Sequence, residues 1–214
     1  MSSVPWVFGE DPLAQTTEIA SLLRRISGLA LSLEVEDDAV NEIVASLIDA
    51  EASLAALVPS DPRPRVGDES CGPGRVYLDH SRHIGFYNPC FPQYEIRVDG
   101  NHASGEVDFP LVYEGPPGIV HGGFLAVFFD AIIQHHNCDL GVAGKTTSLT
   151  LRYRRPTPLL THLKFGIERS VDGARITSTA QLTLQGVLVC EAEMIAVAGD
   201  RARLPTVGSR RDEP

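Results

Sequence analysis

The chain has 214 residues, 43% hydrophobic and 21% charged, with a formal net charge of −10. This is a globular composition, long enough for one good-sized domain with an appendage. The acidic balance argues against a nucleic-acid partner, which selects a basic face; it leaves room for an anionic ligand held by a few local arginines or a helix N-terminus. No apolar run approaches the roughly 20 residues of a membrane span. The opening MSSVPWVFGEDP lacks the basic and apolar regions of a signal peptide, so a cytoplasmic location is expected. Cys71, Cys90, Cys138 and Cys190 form no CxxC pair. They read as free thiols in a reducing compartment, with no metal and no cofactor expected.

In chain order, Asp11-Pro12 reads as a helix start, a capping residue followed by proline at the first helical position. Ile19, Leu22, Leu23, Ile26, Leu29, Ala30 and Leu33 follow at spacings of three and four, the stripe of one amphipathic helix. Asp37-Asp38 opens a second helix, striped by Val40, Ile43, Val44, Leu47, Ile48, Leu54 and Ala55 and ending near Pro59. PSDPRPRVGDESCGPG, residues 59–74, is a linker by composition. Residues 94–98 and 103–109 flank an Asp-Gly-Asn turn and read as a hairpin. Residues 122–138 form an apolar helix, followed by strands at 146–155, 161–170, 174–184 and 187–197. Residues 1–70 are therefore read as a helical hairpin with a linker, 71–198 as the main domain and 199–214 as a frayed tail. A helix apolar all round is covered by a sheet only if the sheet curls about it, which makes the class α+β.

Inside that helix two features clash. From Phe124 to Ile133 the only polar residue is Asp130, and the run opens on His121-Gly122-Gly123 where an ordinary helix start offers Ser, Thr, Asp or Asn. The first N–H groups of a helix lack intrahelical partners and carry about half a positive charge. Glycine lets a ligand approach them closely, although a tight turn alone also explains two glycines. A carboxylate among Phe129, Ala131 and Ile133 is costly without partners, and such groups are more often functional than accidental.

YEGPPGIVHGG, then Asp130 nine residues after the histidine, then GKTTSLTLRYRRPTPL, resembles the hotdog-fold acyl-CoA thioesterases of the phenylacetate-pathway type, within the 4-hydroxybenzoyl-CoA thioesterase superfamily. The resemblance covers about residues 75–197. It implies a curled antiparallel sheet around one long helix, an acyl-CoA substrate hydrolysed without metal, and a homodimer or a dimer of dimers. It also implies roles: the Gly122 N–H polarises the thioester carbonyl, Asp130 is base or nucleophile, and Ser148 orients the water. Two departures stand out. Asp130-Ala131-Ile132-Ile133 lacks the second polar residue of many relatives, and Gly115 occupies the place of an asparagine in some. A water-positioning amide is then either missing or supplied from elsewhere, such as by Asn88 or Gln134.

Gly122 and Asp130 lie eight residues apart, about 12 Å along a helix axis. A reacting carbon sits about 3 Å from both donor and acid. If both serve one thioester, they come from two chains with antiparallel helices across a two-fold axis. His121 is expected to orient the glycine turn rather than transfer protons. Gly123, Lys145, Arg154, Arg155 and Asn88 are the substrate-binding candidates, the basic ones because arginine forks match the phosphates of coenzyme A. Phe124, Phe128 and Phe129 are core with a share in the acyl tunnel, and Cys138 is the one thiol worth testing as a nucleophile. Two rival readings remain: a non-catalytic protein that binds or senses acyl-CoA, and a hydratase using the Asp130/His135 pair. A DNA-binding role for the N-terminal helices is disfavoured by their acidity.

Overall fold

The computed structural model describes residues 9–65, 74–139 and 144–199. Cys71, half of the 59–74 linker and all but the first residue of the expected 199–214 tail lie outside them. In order, the elements are α1 (Ala14–Leu31), α2 (Asp38–Ala55), β1 (Asp61–Pro64), β2 (Gly74–Arg75), α3 (Ile84–Tyr87), β3 (Tyr94–Asp99), β4 (His102–Val107), a 3-10 turn (Leu111–Tyr113), α4 (Gly122–Asp139), β5 (Gly144–Tyr153), β6 (Leu163–Asp172), β7 (Arg175–Leu184) and β8 (Val187–Ala198).

Six strands form one antiparallel sheet in the order β3-β4-β6-β7-β8-β5. Strands from both edges and from the middle of the sheet touch α4, so the sheet wraps the helix. This is the hotdog arrangement, an α+β fold. Alternation along β6 and β7 places Leu163, Phe165 and Ile167, and then Ile176, Ser178, Ala180 and Leu182, on the buried face. Phe128, Phe129, Ile132 and Ile133 of α4 are fully buried against them, and truncating one such residue to alanine typically costs about 2–5 kcal/mol.

The expected strands and the apolar helix form within two residues of their expected bounds. β5 closes at Tyr153 rather than at 155 because the N–H groups of Arg154 and Arg155 both turn onto the Val189 carbonyl. The linker is not wholly irregular: β1 and β2 pair in parallel.

The N-terminal region departs further. α1 starts at Ala14 with Leu13 as its unassisted N-cap, because the backbone at Glu10 is held extended by hydrogen bonds to Tyr77 and Asp79. Asp37 does cap α2, accepting from the Ala39 N–H at 2.9 Å. The two helices, however, do not pack on each other as a hairpin. α2 buries no residue, and α1 buries only Ala20 and Arg24. The apolar stripes expected to pack instead face outward: Leu22, Leu23, Leu29, Ile43 and Ile48 are all exposed. α1 docks onto α3 and the 3-10 turn through its polar side. No helix among the described residues is long and apolar enough to cross a membrane.

Candidate active site

α4 is not covered all round. Gly123, Ala126, Val127, Asp130 and Gln134 are exposed or half-buried, and their spacing of three and four makes one open stripe along the helix. The remaining face, from Leu125 to Cys138, is core. The lone carboxylate therefore lies on the one side of α4 that its own sheet leaves open.

At the N-terminal end of the stripe, the turn before α4 closes on itself. The His121 N–H donates to the Tyr113 carbonyl at 2.9 Å, and the Gly115 N–H to Ile119. His121 Nδ1 accepts the Gly123 N–H at 3.0 Å, so the imidazole caps the second glycine and carries its proton, when neutral, on Nε2. Gly123 is thus not a free donor. The Gly122 N–H pairs with none of the described residues, while its carbonyl accepts from the Tyr153 hydroxyl at 3.0 Å. That leaves one unengaged backbone donor at the positive end of the helix, next to a residue too small to shield it.

Further along the stripe, Asp130 Oδ1 accepts from the Thr146 hydroxyl at 3.0 Å, and Thr146 Oγ1 accepts from Gln134 Nε2 at 2.7 Å. Burial pushes the Asp130 carboxyl above the ordinary range, and the Thr146 hydrogen bond pulls it partly back. The two features that looked like flaws in a core helix are a free N–H and a partly desolvated carboxylate on one accessible face.

The hydroxyl beside Asp130 is Thr146, not Ser148. Strict alternation would put both on one face, but a register shift between Thr146 and Ser148 inserts one extra residue. Thr146 then pairs with buried Ala196 and faces α4, as Leu149 does opposite Met194; Ser148, opposite Ile195, faces away. No composition signal marks this bulge. The amide beside the Asp130–Thr146 pair is that of Gln134, whose Nε2 donates to Thr146 Oγ1. Asn88 is spent elsewhere, its side chain accepting from the Cys90 N–H at 3.1 Å.

Among the basic candidates, Lys145 and Arg155 are exposed on and just beyond β5. Arg154 is already engaged, its Nε and Nη2 both on Glu191 Oε1, with Arg152 3.7 Å from the same oxygen. Phe128 and Phe129 are core, whereas half-buried Phe124 meets Tyr113 edge-to-face at 5.0 Å. His135 does not join Asp130. It is buried on the opposite side of α4, with Nδ1 3.1 Å from the Tyr94 hydroxyl, so the pair a hydratase needs is not assembled. Burial raises the Cys138 thiol to about 11, which leaves it a poor nucleophile.

No family model matches the chain. A crystal structure of a thioesterase superfamily protein aligns with a TM-score of 0.71 and 27% identity over 90% of this chain and 96% of that one. Residues 59–214 are only 156 of the 214, so a 90% match reaches into the N-terminal helices. A hypothetical thioesterase from Streptococcus pneumoniae TIGR4, solved with coenzyme A, aligns at 0.47 and 22% identity over 55% of this chain and 92% of its own. The E. coli PaaI protein from the phenylacetic acid degradation operon aligns at 0.46 and 16% identity over 49% and 82%.

Proposed function

We propose that this chain, which has the hotdog fold of the thioesterase superfamily, hydrolyses an acyl-CoA thioester to the free acid and coenzyme A. The thioester carbonyl accepts from the Gly122 N–H of one chain. Asp130 of the partner subunit takes a proton from the attacking water, or attacks directly through an anhydride. The tetrahedral intermediate places negative charge on the oxygen facing the helix N-terminus, where a backbone donor contributes about 3 kcal/mol. Its collapse expels the coenzyme A thiolate, which takes up the proton lost by the water; in the anhydride route a water molecule then cleaves the anhydride, releasing the acid and Asp130. The Thr146 hydroxyl, itself held by Gln134, fixes the Asp130 carboxylate through one oxygen.

The observation that carries this reading is the open stripe of α4, with an unpaired Gly122 N–H near one end and a Thr146-bound carboxylate further along. The separation along the helix supports a homodimer, and so does the position of β5. Among the described residues it is an edge strand, hydrogen-bonded only to β8, and it carries Thr146. Lys145 and Arg155, exposed and free of the Glu191 cluster, are the proposed contacts for coenzyme A phosphates.

Release of free thiol from a panel of CoA thioesters of varied acyl length tests the reading. The wild type is expected to turn over part of the panel, and Asp130→Ala to lose about 10²–10⁴-fold in kcat while remaining a dimer. Full activity in Asp130→Ala would overturn the assignment; tight binding without turnover in the wild type would point to a sensing role instead.

A further inference from the structure

α1 lies outside the hotdog core, yet its one buried charged side chain reaches the turn before α4. Arg24 is 6% exposed. Its Nη2 donates to the carbonyls of Gly85, Asn88 and Phe91 at 2.7, 3.2 and 3.1 Å, and its Nε donates to the Tyr113 hydroxyl at 3.2 Å. Among the described residues no carboxylate pairs with it. A guanidinium buried without a counter-ion is costly, so its four acceptors must be held firmly in place for it to remain there.

The most informative of those acceptors is Tyr113, which is fully buried. Its carbonyl takes the His121 N–H at 2.9 Å, one residue before Gly122. Its ring packs edge-to-face on Phe124 at 5.0 Å, two residues after Gly122. Tyr113 thus grips the glycine turn from both sides, and Arg24 holds Tyr113 from outside the core.

We propose that Arg24 is a positioning residue for the Gly122 N–H, and that α1 is thereby a working part of the site rather than an appendage. The inference rests on the thioesterase reading for its catalytic consequence, but not for the brace itself. A donor misplaced by even a fraction of an ångström loses much of its effect on the transition state while leaving substrate binding largely intact.

The test uses the full chain and two readouts. Arg24→Ala is expected to lower kcat by roughly ten- to a hundred-fold with KM almost unchanged. Amide exchange across 113–125 is expected to quicken while β6 and β7 exchange as in the wild type; Arg24→Lys, which keeps the charge but not the fork, is expected to recover part of both. A melting temperature that falls with kcat and 113–125 exchange unchanged would mean a plain structural anchor and overturn the proposal. If Arg24→Ala does not fold, Tyr113→Phe removes the hydroxyl that links the two and is read by the same criteria. A wild type that turns over no thioester, with 113–125 loosened in Arg24→Ala, would sink the hydrolase reading and leave the brace standing.

Discussion

On the proposed reading, Asp130 is costly to the fold and useful to the chemistry for the same reason. Its carboxyl is raised by burial, so between the unfolded and folded values the folded chain binds more protons, and stability falls as pH rises through that window. At neutral pH the ionised group is therefore destabilising. Asp130→Asn is expected to melt above the wild type at pH 7 while losing activity; a lower melting temperature would contradict the desolvated environment. The same shift governs the rate. As a general base, Asp130 must be ionised, so the acid limb of kcat/KM is expected to lie above the ordinary aspartate value of 3.8. Thr146→Ala removes the hydrogen bond that lowers the shift and should move that limb to still higher pH, whereas Ser148→Ala, on the other face of β5, should leave it in place. A limb that moves with Ser148 and not with Thr146 would reverse the assignment of the hydroxyl.

At the scale of elements, α4 and the strands were legible because their periods are strong: an apolar run too long for a strand, and alternation bounded by Asp-Gly and Gln-Gly turns. Two further features were not. The bulge in β5 shifts the pattern by one residue without any marker in Thr146-Thr147-Ser148, and a one-residue slip changes which side chain meets the helix. α1 defied its own stripe, because Arg24, polar and unremarkable in the pattern, finds four acceptors on the core that no apolar residue could satisfy. The last turns of α4 carry their own pH signature. Burial lowers His135 to about 3 and also depresses His136. From about pH 6.5 downward the unfolded chain binds protons that the folded chain refuses, so stability is present above that pH and drains away as pH falls toward 3. His135→Gln, which keeps a partner for the Tyr94 hydroxyl, is expected to flatten the slope of melting temperature against pH in this window. An unchanged slope would show that His135 is charged in the fold.

At the scale of the whole molecule, the sequence marked the two halves of the proposed site but not its surroundings. Gly122 and Asp130 were legible from type and spacing, since a Gly-Gly helix start and a lone acid in an apolar run are each anomalous. The role of Gln134 was open beside that of Asn88, and Thr146 was hidden by the bulge. The outward apolar faces of α1 and α2 were hidden too, because periodicity marks which residues share a face and not what that face meets. The central claim is that one active site is shared by two chains. Gly122→Pro removes the donor at a helix position where proline is tolerated, and Asp130→Asn removes the base; each homodimer is expected to be nearly inactive. The decisive measurement is thiol release by a co-expressed, equal mixture of the two variants with the heterodimer fraction verified. In a statistical mixture half of the dimers are mixed and each holds one intact site, so recovery of about a quarter of wild-type activity is expected. Activity no greater than that of the parents, with heterodimers present, would contradict the shared site.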